Sequence, residues 1–172
     1  DTLQRLDDIS WVGPVTFEQL VLAVGDRCDA TDASGQDPSM SLEVVFSPQA
    51  DYWDSHLGKA IELMNVAEHS IDLAMYSFRD KSLLDELQAT VERGVRVRAI
   101  LDAARGDRSE PEGSISAELE ALGIDVRYIN KIMHHKFMLV DGREGDRLTP
   151  ERAMIMTGSG NFSYSAGMRF DE

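Results

Sequence analysis

From residue 41 onward, stretches of strand length alternate with stretches of helix length, and that alternation leaves the chain few architectures. Residues 42–46 are a short apolar run ending at Ser47-Pro48, which reads as a first strand. Residues 52–68 place Leu57, Ala60, Ile61, Met64 and Ala67 on one helical face. Residues 70–78 are apolar-rich and read as a strand. Asp80 can cap a helix running to Arg93, with Leu83, Leu84, Leu87 and Val91 turned inward and Gly94 as its stop. The pattern continues with a strand at 95–101, a polar loop at 102–113, a helix at 114–122 stopped by Gly123, and a strand at 124–129. Strands at 134–141 and 153–157 flank a polar loop or hairpin at 142–152, and a turn at Gly158 leads into a short helix. The expectation is an α/β fold, a mixed β-sheet flanked by helices.

The first 40 residues do not share this pattern. Residues 1–27 read as a small helical hairpin. Leu3, Leu6 and Ile9 fall at helical spacing, Gly13-Pro14 breaks the helix, and Thr16 can cap a second one carrying Phe17, Leu20, Val21 and Val24. Residues 28–40 are rich in Asp, Ser, Ala and Gly without periodicity, as a linker is. A chain of 172 residues has room for one sizeable domain, here residues 41–172, and such an appendage. Its single cysteine, Cys28, excludes an intrachain disulfide. No apolar run reaches the 18 residues that would read as a membrane span. The first residue is Asp1 rather than Met, which fits a processed or a trimmed chain and leaves the cytosol, the periplasm and secretion all open.

The 17 Lys and Arg against 31 Asp and Glu give a formal charge of -14. A global basic footprint for nucleic acid or anionic lipid is therefore excluded, and any phosphate chemistry needs a local site. Two stretches supply one. In His134-His135-Lys136-Phe137-Met138-Leu139-Val140-Asp141, strand alternation sends His134 and Lys136 to the same side. An imidazole can attack phosphorus while an ammonium stabilises charge on the phosphoryl oxygens. In Thr157-Gly158-Ser159-Gly160-Asn161-Phe162, two glycines allow close backbone approach, and a hydroxyl and an amide add neutral donors. One lysine with neutral donors suits the single charge of a phosphodiester. His135 reads as packing or a local hydrogen bond, and His56 and His69 show no partner pattern.

Together, His134-x-Lys136-x4-Asp141 and the following Gly158-Ser159-x-Asn161 resemble the signature of the phospholipase D superfamily. The likeness extends over residues 41–172 through Val44-Val45-Phe46-Ser47-Pro48, residues 71–78 and residues 95–102. It implies that His134 forms a phosphohistidine or protonates the leaving group opposite the partner motif, that Lys136 and Asn161 hold phosphate oxygens, and that Ser159 supports them. It implies a mainly structural part for Asp141, and it makes Glu172 the acid that orients the His134 imidazole. It implies no metal and no other cofactor. The spacer between Asp141 and Gly158 is longer than the family's, so residues 142–152 read as an insertion able to border the site. The family faces two motif copies across an interface, whereas this sequence has one. The second is expected from a homodimer mate or from a carboxyl-terminal half. Residues 6–14 also resemble, over a short stretch, a helix-hairpin-helix that holds DNA phosphates, although Asp7, Asp8, Glu18 and Asp26 around it repel DNA.

These readings rank a phospholipase D-like phosphodiesterase first, hydrolysing a phospholipid or transferring its phosphatidyl group. A metal-independent endonuclease comes second, because nucleases track phosphates with the basic residues this chain lacks in number. A non-catalytic scaffold of the same fold comes third.

Overall fold

The computed structural model describes residues 43–102, 112–129 and 132–169. The expected hairpin at 1–27, the linker at 28–40, most of the 102–113 loop, and Glu172 lie outside them.

Three helices start where a short polar side chain can take an otherwise orphaned backbone donor. Ser55 caps α1 (His56–Val66) by accepting from Leu57 N–H, Asp80 caps α2 (Lys81–Glu92) from Leu83 N–H, and Ser114 caps α3 (Ile115–Ala121) from Ala117 N–H. The strands are β1 (Ser70–Met75), β2 (Arg96–Leu101), β3 (Asp125–Tyr128), β4 (Lys136–Val140) and β7 (Met154–Thr157). Between β4 and β7 runs a two-stranded hairpin, β5 (Arg143–Glu144) with β6 (Arg147–Leu148). A short helix, α4 (Tyr164–Met168), follows β7.

The five-stranded sheet has the order β3-β2-β1-β4-β7. Strands β1, β2 and β3 are parallel neighbours, joined by α2 and α3 as crossovers. Strand β4 runs antiparallel to β1, and β7 antiparallel to β4. The sheet is therefore mixed and helix-flanked, as the alternation predicts. One face supplies Ile71, Leu73, Met75, Val97, Ala99, Leu101, Met138 and Val140, packed in one cluster with Leu57, Met64, Leu83, Leu87 and Leu119 from the helices. On the other face Arg98 grips Asp72 with two hydrogen bonds of 2.6 Å across β1 and β2.

Two local expectations differ from the structure. Residues 43–46 join no strand among the described residues, and Val44 and Phe46 are 64% and 70% exposed. The segment ends at Pro48, which has no N–H for a ladder, and Ser47 bonds a histidine of α1 instead. Strand β4 begins at Lys136 rather than His134, and it is fully buried on one face only, with Phe137 and Leu139 half-buried.

Gly58 sits inside α1, where glycine normally costs stability relative to alanine. Here a Cβ would lie 2.5 Å from the Trp53 backbone. Gly58→Ala is expected to destabilise the fold by roughly 1–3 kcal/mol in urea or thermal unfolding. A stabilised variant would contradict the close approach of α1 to the turn before it.

Candidate active site

Ligand sites in open α/β sheets lie beyond the carboxyl ends of parallel strands, and the two singled-out stretches meet there. Lys136 opens β4 directly opposite Met75, the last residue of β1. The segment ahead of it is held on two sides. Tyr76 N–H donates to the His135 carbonyl at 2.8 Å, and Met133 N–H donates to the Asp102 carboxylate, just past β2, at 2.7 Å.

This support brings His134 and Lys136 together. Lys136 is buried, and its Nζ lies 3.0 Å from His134 Nε2 while donating to the His134 carbonyl at 3.0 Å. An ammonium has no acceptor, so Nε2 presents its lone pair to Lys136 and the ring proton resides on Nδ1. That is the tautomer in which Nε2 is a nucleophile. The Tyr76 ring stands edge-on to His134 at 4.6 Å between centroids, and Lys136 Nζ is 5.1 Å from its centre. The tyrosine thus limits imidazole rotation and adds a weak cation–π contact.

The second stretch reaches the same corner through β7. Thr157 Oγ1 and Gly158 N–H both donate to the Lys136 carbonyl at 3.3 Å. Beyond them Phe162 N–H donates to the Ser77 carbonyl, and the Phe162 carbonyl accepts from Arg79 and Asp80 N–H. Ser159 is exposed on this loop. The side-chain oxygen of Asn161, an acceptor, is buried and makes no hydrogen bond.

Asp141 lies apart from this cluster, past the opposite end of β4. A five-residue strand puts about 13 Å between the two ends. Its carboxylate accepts from the N–H groups of Glu68, His69 and Ser70 at 2.8–3.2 Å, and its own N–H donates to Ser70 O. Burial alone would raise this carboxyl, but the three donors outweigh it and hold it below the usual carboxylate range. Asp141 also takes φ = 52°, a left-handed conformation that Asp and Asn tolerate. It anchors the α1–β1 connection and bonds neither His134 nor Lys136.

The 142–152 insertion does not border the site. It closes at the Asp141 end, where Thr149 Oγ1 donates to Asp141 O and Arg152 reaches His69 Nε2 at 2.6 Å. Within it Arg147 pairs with Glu144 and Glu151.

Two residues escape a reading of the sequence. Asp102 gives no sign that it anchors the approach to His134. His56, without a partner pattern in the sequence, is buried with Ser47 at Nδ1 and the Asn161 carbonyl at Nε2. The only trace was Gly160, whose small size says that something packs closely against the loop. Among the described residues no group of three or more His, Cys, Asp or Glu is placed to hold a metal ion, and no helix is long and apolar enough to cross a membrane.

Residues 60–172 match the family described as cardiolipin synthase, PLD-like domain, and the chain belongs to this phospholipase D-like family. Among curated relatives, a mitochondrial cardiolipin hydrolase of Xenopus tropicalis is 32% identical over 137 residues, covering 75% of this chain and 59% of the relative. That of Drosophila melanogaster is 36% identical over 91 residues, covering 52% of this chain and 35% of the relative. The chain thus spans little more than a third to three fifths of these relatives. The crystal structure of a phospholipase D family member, Nuc from Salmonella typhimurium, superposes with a TM-score of 0.59 at 27% identity, covering 76% of this chain and 78% of that one.

The Asp141 anchor makes a prediction about acid stability. A carboxyl held low in the folded state stabilises above its unfolded pKa, about 3.9, and that contribution fades as pH falls through the lower folded value. Asp141→Asn is expected to cost about 1–3 kcal/mol at pH 7. The gap to the wild type should narrow below about pH 4, where the unfolded Asp also binds a proton. Urea unfolding from pH 7 to pH 3 measures it, and a pH-independent gap would refute the assignment.

Proposed function

We propose that this chain carries one half of a phosphodiesterase site acting through a phosphohistidine, with a phospholipid as substrate. The observation that carries the reading is the contact of Lys136 Nζ with the nucleophilic nitrogen of His134. A phosphodiester entering here takes over the Lys136 donor and frees the Nε2 lone pair. The nitrogen attacks phosphorus, an N–P bond forms, and the P–O bond to the leaving alcohol breaks. Lys136, the Asn161 amide and the Ser159 hydroxyl bind the non-bridging oxygens as charge builds on them. Glu172 holds the proton on Nδ1 and steadies the imidazolium. The leaving oxygen takes its proton from the histidine of a second motif copy, supplied by a homodimer mate or by a carboxyl-terminal half. Water or an alcohol then gives its proton to that second histidine and attacks the phosphohistidine, the N–P bond breaks, and both histidines are restored.

The names of the curated relatives favour a lipid, as cardiolipin hydrolases. The charge balance points the same way. One phosphodiester needs only a lysine and neutral donors, whereas a nuclease that follows a strand needs a basic track. The purified full-length protein, with its second motif copy in place, should be incubated with vesicles of cardiolipin, phosphatidylglycerol or phosphatidylcholine, and with single- and double-stranded DNA, in EDTA. Lipid turnover that persists in EDTA and falls about 10³-fold or more in His134→Ala is expected. Cleavage of DNA alone would favour the endonuclease reading. Unchanged turnover in His134→Ala would leave a scaffold, and loss of all turnover in EDTA would overturn the metal-free route. Light scattering separates the homodimer from the two-motif chain.

A further inference from the structure

His56 is a buried histidine at the first turn of α1, and the chemistry above does not use it. Both ring nitrogens are engaged by groups far apart in sequence. Nε2 lies 2.9 Å from the backbone carbonyl of Asn161, and Nδ1 lies 3.2 Å from Ser47 Oγ. A carbonyl oxygen can only accept, so Nε2 carries the proton and Nδ1 accepts from the Ser47 hydroxyl. The ring also lies flush against the loop. A Cβ on Gly160 would stand 2.9 Å from its Cε1 and Nε2. Gly160 does not need glycine for its backbone, because its φ is not in the left-handed region. Glycine is there to admit the ring.

We infer that His56 is a positioning residue that tethers the Asn161 backbone, so that the Asn161 amide is held beside the phosphoryl group. The inference rests on the proposed function for the part played by Asn161. The loop from Gly158 to Ser163 is pinned at its start by the Lys136 carbonyl and at its end by Ser77, Arg79 and Asp80. The Asn161 carbonyl, in the same peptide unit as the Phe162 N–H that bonds Ser77, takes two donors, Ser163 N–H at 2.8 Å and His56 Nε2. The first is internal to the loop and cannot fix it to anything. His56 gives this peptide a second tie, to α1 and, through Ser47, to the segment before α1, on the side that carries the Asn161 residue. Because α1 is bound into the core by Leu57, Ala60, Ile61 and Met64, the tether transmits rigidity from the core to a ligand-facing amide.

The test combines kinetics with amide hydrogen exchange on the whole protein. Bis(p-nitrophenyl) phosphate is the substrate probe, and the variants are His56→Leu, His56→Gln, Gly160→Ala, His56→Ala and the Gly160→Ala/His56→Ala pair. In His56→Leu, kcat is expected to fall about 10- to 100-fold with KM within about threefold, and exchange at residues 158–163 to quicken about tenfold without change in α2 or the sheet. His56→Gln, which keeps a donor for the Asn161 carbonyl, should recover most of both. Gly160→Ala should lower kcat in the wild-type background and add nothing to His56→Ala, where the ring is gone. Wild-type kcat and exchange in His56→Leu would overturn the inference. So would a Gln variant no better than Leu together with faster exchange across the whole domain, which marks a merely structural histidine. If the full-length wild-type protein, with its second motif copy in place, turns over no phosphodiester, the proposed function fails, and exchange alone decides the tether. Local quickening at 158–163 supports it and unchanged exchange overturns it.

Discussion

Strand β4 lies antiparallel against β1, and the lysine of the candidate site shares one face of its five residues with side chains that pack the core. Lys136, Met138 and Val140 are buried on one side. A slip of one residue would turn Lys136, Met138 and Val140 together out of the buried face they share. The register is pinned at both ends. Tyr76 N–H meets the His135 carbonyl at one, and Asp141 takes three backbone donors at the other. The acidic residue of the signature therefore serves the histidine from a distance, by fixing the strand that presents the lysine.

Most of the domain's secondary structure was legible because its causes are local. Leu57, Ile61 and Met64, or Leu83 and Leu87, recur at helical spacing, and Ser55, Asp80 and Ser114 stand where caps belong. The pairing of His134 with Lys136 was legible for the same reason, since two residues on an extended chain share a side. Residues 43–46 were misread because an apolar run beside a proline has strand composition whether or not a neighbour exists to pair with it. The insertion was misplaced because spacing along the chain does not say which end of the sheet a loop closes. His56 could not be read at all, because the carbonyl it holds lies 105 positions away. The parts assigned to Ser159, Asn161 and Glu172 remain readings from resemblance and chemistry, with Glu172 outside the described residues.

The acidic balance is compatible with the proposed phosphate site, and many basic side chains are already matched. Arg98 is held by Asp72, Arg93 by Glu86, Arg127 by Asp125 and Lys59 by Glu62. Exposed pairs of this kind contribute little to stability. Their effect is to pair positive charge locally over the surface, which fits the proposal of a phosphate site confined to the corner where Lys136 meets His134.

The placement of the β5–β6 hairpin bears on how such a domain can change over time. The two stretches that build the site are joined through paired strands, with Phe137 opposite Thr157, and not through the connection between them. That connection closes at the remote edge of the sheet, and the entropy of closing a loop grows only slowly with its length. Segments of very different size can therefore be accommodated there while the reacting groups keep their separation. Such a position can gain or lose sequence without disturbing the chemistry, and it is a natural point at which to attach a probe or a fused partner.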